Sequence, residues 1–435
     1  MNRTLLRSFH SVLAVLSTNR SPLLGLHCCF LLDFSKNQIV TMTQNKTLTQ
    51  EILTHAQGIH DYVIQMRRDF HKHPETGFFE TRTSGVIAEE LKRLGLQVQT
   101  GIAKTGVVGI LEVHGASGTV AFRADMDALP ITEENELEFK SQNEGVSHAC
   151  GHDANMAMLL GAVKLMVQLK DKLKRRVKFI FQPCEEQHPG GAKLMVDQGI
   201  LNDVDEIYGL HIEPNIASGT FGLRAGATMA ATDRIVITII GKGGHASTPH
   251  LCVDPVVIAA EVILAIQTIH SRKVNPLSPC VISLCQISGG TTFNVIPDRV
   301  KIIGTVRTLS KELRYRMPLL IEETIKGITS LNNATYQFEY LKGHPPLNNP
   351  QPQVEFIQNR IEELFGNKSV ENIDPKMGGE DFSYYLEKIK GAYAFLGSGN
   401  LEKGTHQPLH SSRFLLDEDV LYMGPALFTY IACTP

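Results

Sequence analysis

Residues 176–212 decide the fold class, and they read RVKFIFQPCEEQHPGGAKLMVDQGILNDVDEIYGLHI. The apolar run RVKFIFQP predicts a strand, KLMVDQGIL predicts a helix, and EIYGLHI predicts a second strand. Upstream, TVAFRADMDA (119–128) predicts another strand, and NMAMLLGAVKLMVQLKDKL (155–173) predicts another helix. Strands that alternate with helices imply an α/β domain whose sheet is mostly parallel and has helices on both faces.

The pattern changes near Gly226 and changes back after Pro345. Between these points, the spacing of apolar residues predicts a strand, a helix, two strands, a helix and a strand. This order predicts a smaller α+β domain over residues 227–341. We expect it to be inserted into a main domain formed by residues 42–226 and 342–435.

Composition excludes several classes of protein. The formal net charge of the 435 residues is −3, which gives no field that would favour nucleic acid or an anionic membrane. The eight cysteines form no CxxC pair, which favours a reducing compartment and predicts a cytoplasmic location. No apolar run approaches the roughly 20 residues that span a bilayer, so no membrane span is expected.

Residues 1–41 differ from the rest, because Arg3, Arg7 and Arg20 precede the first acidic residue, Asp33. A basic, acid-poor start is typical of a targeting segment, including one for an organelle. The other interpretation is an extension upstream of a true start at Met42. We favour the extension, because no A-x-A-like cleavage site follows an apolar run of the usual length of about 7–15 residues.

Candidate functional residues lie where predicted strands end, the edge at which open α/β sheets bind ligands. In HACGHD, Cys150 and His152 are two residues apart, so on an extended backbone both would face one metal ion. In QPCEE, Glu185 and Glu186 would point in opposite directions, one towards a metal and the other towards a water. Taken alone, either motif is more often structural: a buried thiol beside a satisfied histidine, or a solvated acidic loop.

Other polar residues extend this pattern. His211 ends the strand EIYGL and His410 lies in the loop PLHSS, and each is more often structural when taken alone. Asp125 and Asp127 would share one side of a strand and orient ligand histidines, with an N-cap or loop role as an equal alternative. Neither a G-x-S-x-G elbow nor a G-x-x-x-x-G-K-[ST] loop occurs. The whole set favours metal-assisted hydrolysis.

Nine motifs occur in this order along the chain: RRDFHKHPETGFFE, FRADMDALPI, HACGHD, FQPCEE, GLHIEP, GKGGHASTPH, FNVIPD, GGEDFSYY and LHSSRFLLDED. Together they resemble the N-acyl-amino-acid amidohydrolases of the aminoacylase and carboxypeptidase clan. The resemblance is strongest to hippurate hydrolases and auxin-conjugate hydrolases, which have a cysteine ligand within HxCGHD. It extends over about residues 50–430.

The resemblance implies a hydrolase that cuts the amide bond of N-acyl amino acids, such as acetyl, benzoyl or other aromatic acyl conjugates. It implies two divalent ions per chain, manganese or zinc, with cobalt or nickel also suited to the donor atoms. It also implies that the smaller domain is a lid that mediates homodimerisation. The implied metal ligands are Cys150, His152, Glu186, His211 and His410, with Cys150 bridging the two ions.

Further roles follow from the same resemblance. Glu185 would be the general base, which takes a proton from the bridging water and passes it to the leaving amine. His245 in GGHAS would steady the tetrahedral oxyanion, within the chain or across a dimer; a plain turn residue is its alternative. Asn294 and Arg307 would hold the substrate carboxylate, for which the planar arginine fork is well suited.

Two positions depart from the pattern of the family. Asn155 stands where a histidine is usual in HDxH, which leaves the implied ligands complete but alters their surroundings. Cys184 stands where a small residue such as alanine is common. Two alternatives to the amidohydrolase are a dipeptidase or carboxypeptidase with the same centre, and a non-catalytic binding protein of the same fold. Glu185 argues against the second, because a binding protein needs no general base.

Overall fold

The computed structural model describes residues 46–434, so both interpretations of residues 1–41 lie outside the described part of the chain. The strands are β1 (Gln97–Ile102), β2 (Gly106–Leu111), β3 (Thr119–Asp125), β4 (Arg176–Gln182), β5 (Glu206–Ala217), β6 (Phe221–Leu223), β7 (Gly226–Met229), β8 (Ala231–Ile240), β9 (Gly244–His245), β10 (Cys280–Gly289), β11 (Val295–Ile296), β12 (Arg299–Thr308), β13 (Thr335–Leu341), β14 (Leu347–Asn349), β15 (Val370–Asn372) and β16 (Lys390–Gly399). The helices are α1 (His60–Lys72), α2 (Thr81–Arg93), α3 (His152–Gln168), α4 (Gly191–Asp197), α5 (Pro255–Arg272), α6 (Lys311–Leu331), α7 (Gln351–Phe365), α8 (Ser383–Leu386) and α9 (Met423–Cys433).

The larger sheet has the strand order β1-β2-β4-β3-β5-β16-β6-β15. Its centre, β4-β3-β5-β16, is parallel throughout, whereas β1, β2 and β6 join antiparallel neighbours. Every residue of β3 is buried, as expected for a strand covered on both faces. The predicted α/β class with a mostly parallel sheet is confirmed.

Helices cover both faces of this sheet, as two neighbouring residues of β3 illustrate. The ring of Phe122 lies 4.7 Å from that of Phe428 in α9. Ala121 belongs instead to the apolar cluster that contains Met195 of α4 and Tyr385 of α8. Because adjacent residues of a strand point to opposite faces, α9 and the pair α4 and α8 lie on different sides of the sheet.

Helix α3 is the central helix of the α9 side, and it carries part of the candidate site at its first residue. A Cβ atom at Gly161 would lie 2.7 Å from Val63 of α1 and 2.8 Å from Pro425 of α9. Glycine therefore allows both neighbouring helices to approach α3 closely. This packing fixes the axis of α3 and with it the position of His152.

The spacing of apolar residues in LTQEILTHAQGIHDYVIQMRRDFHKHP (48–74) predicts one continuous helix ended by Pro74, but the structure divides it. Residues 52–58 are helical, Ile59 leaves the helical conformation with φ −104° and ψ 5°, and α1 starts at His60. Gly58 directly precedes the break. Glycine is a weak helix former, costing about 1 kcal/mol relative to alanine, which accounts for an interruption at this point.

A second sheet, with the order β10-β12-β8-β13, is antiparallel throughout. Its apolar residues form a separate core with α5 and α6, in which Ile235, Ile237 and Ile239 of β8 alternate with half-buried or exposed neighbours. This is the α+β insert, with its elements in the predicted order. The exact boundaries at residues 227 and 341 stay a prediction.

One helix departs from the expectation that no apolar run reaches membrane-spanning length. The segment Pro255–Lys273, which contains α5, is long and apolar enough by length and composition to cross a bilayer. However, Val262, Ile266 and Ile269 of α5 are fully buried in the core of the insert. Packing of this face against the second sheet accounts for part of the hydrophobicity of α5.

Candidate metal centre

The candidate residues gather at the carboxyl ends of three adjacent strands, β4, β3 and β5. Asp125 is the last residue of β3, Glu185 and Glu186 follow β4, and His211 lies within β5. His152 is the first residue of α3, and His410 lies in the loop before α9. Residues from five separate places in the sequence therefore meet at one edge of the sheet. The prediction that His211 ends its strand was wrong, because β5 continues to Ala217.

The local backbone differs from the expected extended chain at Cys150. Gly151 adopts the left-handed conformation, with φ 82°, and α3 begins at the next residue, His152. The sulfur of Cys150 lies 3.7 Å from Nε2 of His211. The prediction of an extended segment was wrong, because a tight turn into the helix, which glycine permits, brings Cys150 and His152 to one point.

The prediction of an extended chain was also wrong for QPCEE. Cys184 has φ 50°, so the chain turns immediately before the two acids. The carboxylate of Asp127 accepts the amide hydrogens of Glu185 at 2.9 Å and of Glu186 at 3.0 Å. This loop is therefore held by Asp127 and not by the alternation of a strand.

Among the described residues, four overlapping groups of three side chains could each hold a metal ion, since their potential ligand atoms lie within 4.8 Å of one another. Cys150 belongs to two of these groups, which places its sulfur between two sets of donors. The Nε2 atom of His410 lies 3.0 Å from Oε1 of Glu186. The groups are Cys150 with His152 and His211, Cys150 with Glu186 and His410, His152 with Glu185 and Glu186, and Glu185 with Glu380 and Asp381.

Hydrogen bonds to backbone carbonyls fix which nitrogen of each buried histidine faces the cluster. Nδ1 of His152 lies 2.8 Å from the carbonyl oxygen of Asp127, and Nδ1 of His211 lies 2.6 Å from that of Ile212. A carbonyl oxygen only accepts, so both Nδ1 atoms carry hydrogen and both Nε2 atoms are left to coordinate. Nε2 of His152 is buried and has no hydrogen-bond partner among residues 46–434.

Electrostatics at the centre favour a bound cation. Burial by itself lowers the pKa of His152, but Asp125 and Asp127 outweigh it and bring the pKa to about 10. Such a ring is protonated at neutral pH, and a metal ion would replace that proton. Burial, followed by Glu186 and Glu185, raises the pKa of Cys150 well above its usual range. A coordinated divalent ion reverses this, because a coordinating thiol is deprotonated. The donor set therefore fits a pair of divalent metals.

Glu185 has the environment of a general base. Burial raises its pKa well above the usual range, and the nearby carboxylates of Glu380, Glu186 and Asp381 raise it further. Its Oε1 accepts the amide hydrogen of Asp381 at 3.3 Å. A carboxylate with a raised pKa takes up a proton more readily near neutral pH.

Arg123, Glu380 and Asp381 are site residues that the sequence analysis did not single out. The buried Arg123 guanidinium donates to Asp125 and Asp381 at 2.7 Å each, and lies 3.1 Å from Glu380. It thereby balances part of the negative charge behind Glu185. A signal was present, since an arginine inside an otherwise apolar strand needs a buried acidic partner.

The unusual Asn155 ties together the two strands that flank it. Its Nδ2 donates to Oδ1 of Asp125 at 2.8 Å, and its Oδ1 accepts the amide hydrogen of Ile212 at 3.2 Å. Asp125 in turn raises the pKa of His152, and Ile212 follows His211. The amide of Asn155 thus connects the surroundings of both buried histidines.

Of the three site residues that the sequence predicts in the insert, His245, Asn294 and Arg307, one lines the cavity at the metal centre. Arg307 lines a cavity of about 620 Å³ together with Cys150, Glu185 and His211. His245 and Asn294 are exposed on the small β9–β11 pair, and neither lines that cavity. Within the described chain, the structure therefore brings Arg307 to the centre but leaves the other two apart from it.

The chain belongs to peptidase family M20/M25/M40, whose sequence profile matches residues 121–433. It is 43% identical over 310 residues to an N-acyl-L-amino acid amidohydrolase of Geobacillus stearothermophilus, covering 71% of this chain and 82% of the relative. It is 40% identical to thermostable carboxypeptidase 2 of Saccharolobus solfataricus, covering 88% and 98%.

A solved structure of the same family agrees with the architecture. A dinuclear metal binding peptidase of family M20 from Bacillus subtilis superposes with a TM-score of 0.77 at 33% identity. The match covers 87% of this chain and 98% of that one. The family resemblance drawn from the nine motifs is confirmed.

Proposed function

We propose that this hydrolase cuts the amide bond of N-acyl amino acids and releases a carboxylic acid and a free amino acid. One observation carries the proposal: a buried carboxyl suited to act as a base, Glu185, lies beside a thiol, a carboxylate and imidazole nitrogens that converge in a single cavity. The relatives named as an amidohydrolase and as a carboxypeptidase both support hydrolysis of an amide bond.

The proposed cofactor is a pair of divalent ions held by Cys150, His152, Glu186, His211 and His410. Bound there, the ions would polarise the scissile carbonyl and lower the pKa of the attacking water. The mixture of thiolate, imidazole and carboxylate donors suits zinc or manganese, with cobalt or nickel as further candidates. The dinuclear relative supports the number of ions.

The protein side chains then handle the proton and the substrate. Glu185 takes a proton from the water and delivers it to the leaving nitrogen, which prevents expulsion of an amide anion. Arg307 binds the carboxylate of the amino-acid half through its planar fork. Asp125 and Asp127 keep the ligand loops and His152 in place, which limits reorganisation during the reaction.

A homodimer through the insert, which we call the lid, is part of the proposal. His245 and Asn294 would act on substrate only if a second surface brought them to a centre. Phe293, next to Asn294, is 97% exposed, and Leu264 and Ile287 of the same domain are 71% and 54% exposed. Exposed large apolar side chains are candidates for an interaction surface, and in the proposed dimer His245 of one copy would serve the cavity of the other.

A dipeptidase or carboxypeptidase is the second candidate, supported by the relative named as a carboxypeptidase. The discriminating experiment is a substrate screen of the full chain reconstituted with zinc or manganese. It should include N-benzoylglycine, N-acetyl amino acids, dipeptides and N-blocked peptides. We expect N-acyl amino acids to have the highest kcat/KM. Efficient cleavage of peptides with little cleavage of N-acyl amino acids would contradict the amidohydrolase.

A further inference from the structure

Two histidines outside the ligand set form a pair in the wall of the same cavity. His188 lies in the loop between β4 and α4, and His344 lies between β13 and β14. Their rings meet edge to face, with centroids 4.5 Å apart and planes at 78°. Both residues line the cavity of about 620 Å³ that contains the metal centre and Arg307.

The backbone around this pair is shaped to accept the two rings. A Cβ atom at Gly343 would lie only 2.5 Å from Cε1 of His188, so a larger residue would displace that ring. Gly190 has φ 84°, and a Cβ atom there would lie 3.3 Å from Nε2 of His344. On a further side, the ring of Tyr384 contacts His344 edge to face at 6.0 Å. Contacts with the surrounding backbone and with Tyr384 therefore fix the positions of the two imidazole rings.

The two ring nitrogens of His344 are buried and make no hydrogen bonds within the described chain. The residue is 4% exposed, and neither Nδ1 nor Nε2 has a hydrogen-bond partner among residues 46–434. Burial lowers the pKa of His344 to about 3, with His188 and Arg307 as further causes. The ring is neutral at pH 7, so one nitrogen is a donor and the other an acceptor. A buried donor without a partner is costly, which points to a ligand.

The positive charge of Arg307, beside His188 and His344, also lacks a hydrogen-bonded partner within the described chain. The half-buried guanidinium of Arg307 makes no hydrogen bond or ion pair with the described residues. Asp233, whose negative charge acts on Arg307, is already engaged by Arg314 at 2.7 Å, by the Tyr340 hydroxyl at 2.8 Å and by the Gly343 amide at 3.0 Å. An unpaired guanidinium next to a neutral donor forms a site for an anion with the geometry of a carboxylate.

We infer that His344 is a substrate-binding residue, which donates a hydrogen bond to the free carboxylate that Arg307 holds, and that His188 is a positioning residue for its ring. The inference rests on the proposed function and deepens it by assigning a second group that recognises the substrate carboxylate. It selects amides whose amine half ends in a free carboxylate and disfavours the same compounds with a capped carboxylate. It places recognition of that carboxylate in the wall of the large domain as well as in the lid.

The test compares N-acetyl-L-methionine and N-benzoylglycine with their primary carboxamides, using the metal-reconstituted full chain. Two matched pairs of variants are compared. His344→Phe keeps a ring but removes its donor, whereas His344→Gln keeps a donor. His188→Phe keeps the edge-to-face contact, whereas His188→Ala removes it. Thermal unfolding of each variant reports on folding. KM and kcat are measured separately for each substrate.

For His344→Phe we expect KM for the acids to rise about 10- to 100-fold, the effect of losing one hydrogen bond to a charged group. The preference for acid over carboxamide should fall by the same factor, with little change in kcat. His344→Gln should recover most of the lost affinity for the acids. The preference for acid over carboxamide should be larger in His188→Phe than in His188→Ala.

Equal losses on acid and carboxamide in a folded His344→Phe variant would overturn the inference and leave the proposed function intact. The same holds if that variant keeps the wild-type preference. If the wild-type chain hydrolyses none of the four compounds, the proposed function fails and the inference falls with it. The two failures are therefore distinguishable.

Discussion

The metal centre and the lid are built in opposite ways. At the centre, buried side chains are tied by several hydrogen bonds each, as in Asp127, which accepts from both Glu185 and Glu186. In the lid, His245 and Asn294 are exposed, and the hydrogen bonds of His245 are local ones to Ser247. In our proposal, activation of water is preorganised within one chain, whereas part of substrate stabilisation depends on a second copy of the chain.

Removing a ligand at the centre should have the largest effect. Cys150→Ala deletes the sulfur that two of the candidate ligand groups share. We expect kcat/KM to fall more than about 100-fold, beyond the 10- to 100-fold typical of residues that merely support ligands. Metal content measured by mass spectrometry should fall in parallel.

Cys184→Ala is the matched control for this prediction. Cys184 is also buried and lies next to Glu185, but it belongs to none of the candidate ligand groups. The variant should keep its metal and most of its activity. If Cys184→Ala lost metal as fully as Cys150→Ala, the assignment of Cys150 as the shared ligand would be wrong.

Mutation of His245 in the lid should have a different effect, because a second copy of the chain with an intact His245 can restore the activity. His245→Ala alone should lower kcat about 100-fold or more, the usual effect of losing an oxyanion donor. When this variant is mixed with Cys150→Ala under conditions of subunit exchange, half of the dimers should be mixed. Each mixed dimer has one intact site, so activity should return to about a quarter of wild type.

Complementation separates two arrangements of the lid. Recovery requires that His245 serves the centre of the other chain. If light scattering and exchange of labelled chains showed mixed dimers but no activity returned, His245 would act within its own chain or not at all. A monomeric protein with full activity would contradict the proposed dimer directly.

A moderate effect is expected at Asp127, whose carboxylate holds the loop that carries Glu185 and Glu186. Asp127→Ala would leave the amides of Glu185 and Glu186 without their acceptor, and each unsatisfied buried amide costs about 1–3 kcal/mol. We expect a clear fall in the thermal unfolding temperature and a 10- to 100-fold loss of metal affinity. Asp127→Asn, which keeps one acceptor oxygen, should show roughly half of each loss; equal affinities for wild type and Asp127→Ala would contradict this role.

The same contrast explains what the sequence could predict. The alternation of strands and helices predicts the parallel sheet, and the strand-end rule brings Glu185, Glu186 and His211 to one edge. The local backbone was predicted incorrectly at Cys150 and Cys184, because left-handed conformations at Gly151 and Cys184 do not follow from strand periodicity. Such turns depend on contacts made by the completed fold.

Other residues were missed because their partners are remote in sequence. Arg123 and Asp381 pair across 258 positions, and the contact of His344 with His188 joins two different loops. The residues that neighbour Arg123 and His344 in the sequence do not indicate the role of either side chain. The positions of His245 and Asn294 in the sequence also give no information on which chain they would serve.

The smallest effect is expected at Asn155. A neutral histidine offers one donor and one acceptor, so Asn155→His could replace both hydrogen bonds of the amide, to Asp125 and from Ile212. We expect metal affinity to change by less than about tenfold, whereas Asn155→Leu, of similar size, should lose 10- to 100-fold. Calorimetric titration of the metal-free protein measures both. Equal affinities for the two variants would show that the hydrogen bonds of Asn155 do not support the centre.

The most direct test of the account is a comparison of wild type and Glu185→Gln for both metal content and hydrolysis of N-acyl amino acids. We expect two divalent ions per chain in each protein, because Glu185 is not among the proposed ligands. We also expect kcat to fall about 100- to 10,000-fold in Glu185→Gln, the effect of losing a general base. Unchanged kcat in Glu185→Gln, or an active wild-type protein without bound metal, would contradict it.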